Sequence, residues 1–263
     1  MSVGFSQSFP LEPNLLARVL REYQINSKVN KGELGSRVGL NQAKIEGVSG
    51  WLRILNLWRS KEGITPLAAL ILKYDEYFSQ AGTKWLLHQS LITNPAAEVW
   101  YFGFNKYFKI GETFTREDLT ESLLQAEIGT KTRYLRTDVG MLLSGYAERT
   151  DSFKDLHLLS KTNEIYEPAA STNVPPLILA YSLYSWREQQ GGISTTSIQT
   201  LLNEGSTPGK VFLLNRSQLL NHLHILEETG IVKIAQIADL DNITYTYDGS
   251  ALNLLEQFYE TAH

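Results

Sequence analysis

The sequence predicts a mainly α-helical protein with small β-hairpins, built as two winged helix-turn-helix modules that flank a helical middle segment. Three observations predict it. Residues 31–62 place two amphipathic helical runs on either side of a glycine turn and follow them with a short polar turn. The C-terminal part repeats that order, with ILEETGIVKI at 225–234 marking the passage from a second helix into a strand. Between the two, residues 83–108 are crowded with large apolar and aromatic side chains, the composition of packed helices. The implied divisions are 1–82 for the first winged module, 83–150 for the helical middle, 151–173 for a connector and 174–263 for the second winged module.

The elements follow in order. LLARVLREY (Leu15–Tyr23) sets Leu15, Leu16, Val19 and Leu20 on one side of a helix and Arg18, Arg21 and Glu22 on the other. Lys31 to Val38 keeps the same rhythm with Leu34 and Val38, and Gly39 supplies the turn. Asn41 is an N-cap for a helix whose apolar side is Ala43, Ile45, Val48, Leu52 and Leu55. Its outward positions are Asn41, Gln42, Lys44, Gly47 and Arg53, amide and basic groups of the kind that contact base edges and phosphates, with a glycine that permits close approach. Arg59 to Gly63 form a polar turn where a wing belongs, and Thr65-Pro66 opens a further helix expected to reach Phe78.

In the middle segment Asn94-Pro95 breaks the aromatic-rich run into two helices. Thr115 with Asp118 has the spacing of a capping box ahead of LTESLLQAE, and a helix is expected from Thr132 to Tyr146 with Lys131, Arg133 and Arg136 at its start as an auxiliary basic spot. The connector carries a short strand pair near Leu158-Leu159 and Glu164–Tyr166. In the last module Val174 to Arg187 reads as a long apolar helix, Ser194 as the cap of TTSIQTLL, Asn215 as the cap of RSQLLNHLHILEETG, and residues 231–237 and 243–247 as strands about an acidic tip at Asp239 to Asn242. A helix over 250–259 closes the chain.

Composition bounds the function. A chain of 263 residues with 43% hydrophobic content buries a core in each of two or three small domains, and it carries no apolar run of the roughly 20 residues that span a bilayer. No signal-peptide pattern opens it, so a cytoplasmic location with no membrane partner is expected. The absence of cysteine excludes disulfides, thiolate zinc sites and cysteine nucleophiles. The net charge of −4 is unevenly spread: residues 1–73 hold ten Lys and Arg against five Asp and Glu, whereas 174–263 hold four against nine. Phosphate-facing charge is therefore concentrated in the first module, and the second, with aspartates at its hairpin, suits protein contact or packing. The five histidines show no metal-ligand spacing, Asp239 and Asp241 read as a turn, and the glycine-containing stretch at 205–210 lacks the spacing of a phosphate loop. No enzyme, cofactor or metal is expected.

The ordering of FSQSFPLEPNLLARVL, VGLNQAKIEGVSGWLRILNLW and ITPLAALIL, followed by TKWLLHQSLITNPAAEVWYFGFN, TRYLRTDVGMLLSGY, PLILAYSL and TPGKVFLLN, resembles an uncharacterised bacterial family encoded near DNA phosphorothioation genes. The resemblance covers nearly the whole chain and rests on dispersed patterns. It implies a setting of DNA modification and phage defence, beside a sulfotransfer enzyme similar to phosphoadenosine-phosphosulfate reductase, and brings no catalytic residues. The expected partners are double-stranded DNA and proteins of a modification or restriction complex. The residues expected to meet DNA are Lys31, Arg37, Asn41, Gln42, Lys44, Arg53, Arg59 and Lys61, with Arg53 equally able to pair with Glu46 or Glu33. Two other readings use the same features: an adaptor without DNA contact, and a transcriptional repressor, which requires dimerisation and paired half-sites. Oligomeric state is not legible in the sequence.

Overall fold

The computed structural model describes residues 3–130, 133–237 and 240–261. They form mostly helices with small antiparallel sheets, in two compact units that divide between Pro168 and Ala169.

In the first unit a non-helical N-terminal segment, residues 3–12, precedes α1 (Pro13–Ile25), α2 (Lys31–Val38) and α3 (Gln42–Ile54). The helix ends are set locally. The Asn30 side chain accepts the Glu33 N–H, Gly39 closes α2 in the left-handed conformation at φ 65°, and the Asn41 side chain accepts the Lys44 N–H. Leu16, Val19 and Leu20 of α1, Leu34 of α2 and Ile45, Val48 and Leu52 of α3 are buried together, and the Tyr23 and Ser49 hydroxyls hydrogen-bond at 3.3 Å within that core. A short hairpin follows, β1 (Trp58–Arg59) against β2 (Gly63–Ile64), and Trp58 stacks on Tyr23 with ring centroids 4.6 Å apart. Thr65 caps α4 (Pro66–Tyr74). This helix stops four residues before the expected Phe78, because the Asp75 carboxylate accepts the Ser79 and Gln80 N–H groups at 2.9 and 3.0 Å and Phe78 takes a left-handed φ of 55°.

The rest of the unit is α5 (Ala81–Ile92), α6 (Glu98–Phe102) running into a π-helical turn (Gly103–Tyr107), β3 (Phe114–Thr115), α7 (Arg116–Gln125) and α8 (Leu135–Ala147). The aromatic-rich run is core: Trp85, Trp100, Phe104 and Phe108 are buried, and His88 meets the Tyr146 hydroxyl at 2.6 Å inside it. Thr115 and Asp118 complete the expected capping box. The strand pair anticipated in the connector is present as β4 (Leu159–Thr162) and β5 (Ile165–Pro168), and β5 also pairs with β3, so these strands form a three-stranded sheet of the first unit.

The second unit holds α9 (Pro176–Gln189), β6 (Thr195–Ser197), α10 (Ile198–Asn203), α11 (Pro208–Val211), α12 (Arg216–Glu228), β7 (Val232–Ile237), β8 (Leu240–Tyr245) and α13 (Ala251–Thr261). Its sheet has the order β6-β8-β7, all antiparallel. The cap of α10 is Ser197, whose hydroxyl accepts the Thr200 N–H at 3.0 Å, and not the expected Ser194, because residues 195–197 are drawn into the sheet beside β8. Asn215 caps α12 in a capping box with Gln218. The hairpin is tighter than expected: Ile237 pairs with Leu240, and Asp241 lies within β8 and forms an ion pair with Arg216. Asp239 lies outside the described residues.

Candidate nucleic-acid interface

The helix expected to read DNA is exposed only at its two ends. Asn41, Gln42 and Ala43 of the first turn face solvent, as does Arg53 near the last, whereas every residue from Gly47 to Leu52 is buried. One side packs on α1 and α2. The other is covered by the N-terminal segment. A Cβ at Gly47 would stand 2.5 Å from the Ser6 carbonyl oxygen and one at Gly50 would stand 2.1 Å from that of Phe5, so both positions admit only glycine without movement of that backbone. The expectation that Gly47 leaves room for DNA is thus corrected: the room is taken by the chain's own N-terminus.

Five contacts hold the segment there. Phe5 sits edge-on to Trp51 at 4.7 Å between centroids and 5.6 Å from Trp100. The Trp51 indole N–H donates to the Phe9 carbonyl at 2.9 Å. The Gly4 N–H donates to the Asp138 carboxylate of α8 at 2.7 Å, and the Gln7 amide donates to Glu46 at 3.0 Å. Sequence reasoning missed this strap, though the glycines three residues apart in α3 were a signal that something packs closely on that side.

The expected contact residues divide into two groups. Lys31 pairs with Glu46 at 3.4 Å, Arg37 with Glu33 at 2.6 Å and Glu22 at 3.3 Å, Lys44 with Glu12 at 3.4 Å, and Arg59 with Glu62 at 2.8 Å. Gln42 donates to Glu46 at 3.2 Å, which with Gln7 and Lys31 holds the Glu46 carboxyl below its ordinary range. These pairs lie at the surface, where solvent screens the attraction, and a phosphate can displace the carboxylate at little cost. Arg53 and Lys61 differ. Neither has a carboxylate partner among the described residues, and Arg53 donates its Nε to the Ser49 carbonyl at 3.3 Å in place of the Glu46 or Glu33 pairing weighed from sequence.

Asn41 is committed to its cap, with Oδ1 on the Lys44 N–H at 2.9 Å. Asn41→Ala should therefore cost about 1 kcal/mol of stability while Asn41→Ser keeps the cap and loses only the amide. Equal DNA affinity of Asn41→Ser and wild type, measured by duplex titration, would assign this residue to the cap alone.

Of the auxiliary spot, Lys131 lies outside the described residues. Arg133 and Arg136 are exposed. The Arg133 guanidinium lies over the Tyr134 ring at 5.2 Å and donates to its hydroxyl at 3.2 Å, and the Arg136 carbonyl accepts from Arg116. Asp138, two residues beyond Arg136, is buried and accepts the Gly4 N–H, so it does not pair with these arginines.

No helix among the described residues is long and apolar enough to cross a membrane. No curated protein sequence matches the chain. Two solved structures, titled "SspB crystal structure" and "Magnesium ion-bound SspB crystal structure", each superpose with a TM-score of 0.83 at 18% identity, over 98% of this chain and 88% of theirs, and so share its fold. Residues 7–259 match the family model described as a protein of unknown function (DUF4007), and the chain belongs to that family.

Proposed function

We propose that this protein is a non-enzymatic DNA-binding subunit of a bacterial DNA-modification or phage-defence system linked to phosphorothioation, acting in the cytoplasm and contacting DNA through its first unit. The observation that carries the reading is the exposed set of cations without carboxylate partners among the described residues: Arg53 in the last turn of α3, Lys61 in the turn between β1 and β2, and Arg133 and Arg136 at the start of α8. They belong to a chain whose first 73 residues are net positive although the whole is net negative.

We read α1, α2, α3, β1 and β2 as a winged helix whose first α3 turn and hairpin meet the duplex, since helix-turn-helix modules present the start of the second helix to base edges. The second unit reads as another, its α9-β6-α10-α11-α12-β7-β8 succession and β6-β8-β7 order setting a strand between helices and a hairpin after α12. Its acidic balance suits a protein partner in the same complex. The magnesium of one structural neighbour has no part in the proposal: among the described residues no three His, Asp or Glu side chains gather as ligands.

The test is titration of a labelled duplex at low and near-physiological salt, with and without phosphorothioate linkages. Lys44→Glu/Lys61→Glu should weaken binding more than tenfold and lower the salt slope by about two, one per lost phosphate contact, while Lys233→Glu in the second unit leaves both unchanged. Preference for the modified duplex makes the protein a reader of the modification. Absence of binding at low salt rejects DNA contact and leaves the adaptor reading, to be pursued by co-purification with neighbouring gene products.

A further inference from the structure

A cleft of about 420 Å³ opens in the first unit between the N-terminal segment, the last turns of α3 and the turn before α6. Val3, Gly4 and Phe5 form one wall, Gly50, Arg53 and Ile54 the floor, and Asn94 and Ala96 the far side. Its volume falls within the roughly 300–1,000 Å³ of small-ligand sites. The walls are preformed. Asn94 donates its amide to the Ile54 carbonyl at 2.7 Å and accepts the Ala96 N–H at 2.9 Å, which fixes the turn against α3. Phe5 is held by Trp51 and Trp100, and Gly4 by Asp138.

The chemistry of this cleft is one cation beside apolar surface. Arg53 lines it, is exposed and has no carboxylate partner among the described residues, and the bond from its Nε to the Ser49 carbonyl leaves the two terminal nitrogens for a ligand. A second cation stands behind the same wall: a Cβ at Gly4 would come within 2.7 Å of the Tyr134 ring, and Arg133 lies over that ring at 5.2 Å. A guanidinium recognises phosphate through paired donors, and an aromatic ring accepts any base on its face.

We propose that this cleft binds one nucleotide, with its phosphate on Arg53 and its base against Phe5. The choice of a nucleotide over another anion rests on the DNA-binding reading above. In a strand, the occupant is a terminal nucleotide or one turned out of the stack, since a base stacked and paired within a duplex cannot lay its face on Phe5.

The experiment titrates the full chain with deoxyadenosine 5′-monophosphate, deoxyadenosine and inorganic phosphate by calorimetry, using wild type, Arg53→Gln and Ala96→Trp. Arg53 and Ala96 are exposed, so both variants should keep the wild-type melting temperature, and Ala96→Trp fills the cleft without touching the core. The monophosphate should bind at least tenfold more tightly than the nucleoside or phosphate alone, and each variant should lose at least tenfold. A single-stranded oligonucleotide with a 5′-phosphate separates the sources: loss of its affinity in Ala96→Trp identifies a strand nucleotide, and indifference identifies a free one, with the cleft upheld in both. Equal affinity for phosphate and monophosphate, absence of monophosphate binding at millimolar concentration, or variants that bind as wild type would overturn the site. Its failure is distinct from failure of the DNA reading: duplex binding that Lys44→Glu/Lys61→Glu abolishes, without monophosphate binding, removes the cleft and keeps the interface, and monophosphate binding without duplex binding does the reverse.

Discussion

Gly50→Ala should destabilise the first unit by about 3 kcal/mol, the upper end of the cost of overpacking a closed interior. The new methyl carbon would stand 2.1 Å from the Phe5 carbonyl oxygen and 2.9 Å from its carbon. Both are backbone atoms, so no side-chain rotation relieves the clash and the N-terminal segment itself has to lift. Helix propensity points the other way, because alanine is favoured over glycine within a helix by about 1 kcal/mol. The sign of the change therefore separates the two effects. Chemical denaturation followed by tryptophan fluorescence reads it directly, with Trp51 and Trp100 both near Phe5. Gly32→Ala on α2, where the nearest atom to the new carbon is the Asn30 side-chain oxygen at 3.4 Å, is the matched control and should be neutral or stabilising. A Gly50→Ala protein as stable as wild type would mean that the segment does not rest on α3.

What the sequence made legible in this region is what neighbours in the chain decide. The Asn41 cap, the Gly39 turn, the hairpin between Arg59 and Gly63 and the Thr115-Asp118 capping box each depend on groups within a few residues, and each is present. Asn215 at α12 belongs with them. Elements fixed by distant partners were not legible. Strand β3 has two residues and exists through β5, some fifty positions later, and β6 has three and exists through β8; runs this short have no periodicity to recognise. Ser194 was the natural cap until residues 195–197 joined a sheet, which moved the helix start to Ser197.

The candidate site divides the same way. The residue types around α3 were legible, their availability was not. Lys44 looks free in a one-dimensional pattern, yet Glu12, thirty-two positions earlier, returns beside it along the N-terminal segment. Lys31 meets Glu46 across the helix turn. Gly47 read as an open surface because amphipathic spacing marks a face as outward without saying what covers it. The result shifts weight from the middle of α3 to its ends, and within the basic set from the paired lysines to Arg53 and Lys61. The N-terminal segment is the common cause: it supplies Glu12, covers the glycines and forms a wall of the cleft that Arg53 lines.

The anchor of that segment gives the second large effect. Asp138 is buried, its Oδ2 accepts the Gly4 N–H at 2.7 Å, and its Oδ1 has no hydrogen-bond partner among the described residues. Burial pushes its pKa up from 3.8 to about 6, against the opposing pull of the Gly4 bond. The folded state thus holds the proton more tightly than the unfolded chain. The stability this contributes is complete below about pH 4 and is lost as pH rises through about 6, amounting to about 3 kcal/mol at 1.36 kcal/mol per pKa unit. Asp138→Asn keeps an oxygen for Gly4 and has no charge to desolvate. Its stability relative to wild type should therefore rise by about 3 kcal/mol between pH 4 and pH 8, with the midpoint of the change between the two pKa values. Taking the difference between variant and wild type at each pH removes every other titrating group, and any fixed cost of placing the amide nitrogen cancels in the same way. Urea denaturation at four pH values across that range is sufficient. A variant-to-wild-type difference that stays constant with pH would show that Asp138 ionises as freely in the folded protein as in the unfolded one, and that the Gly4 contact is an ordinary charged anchor.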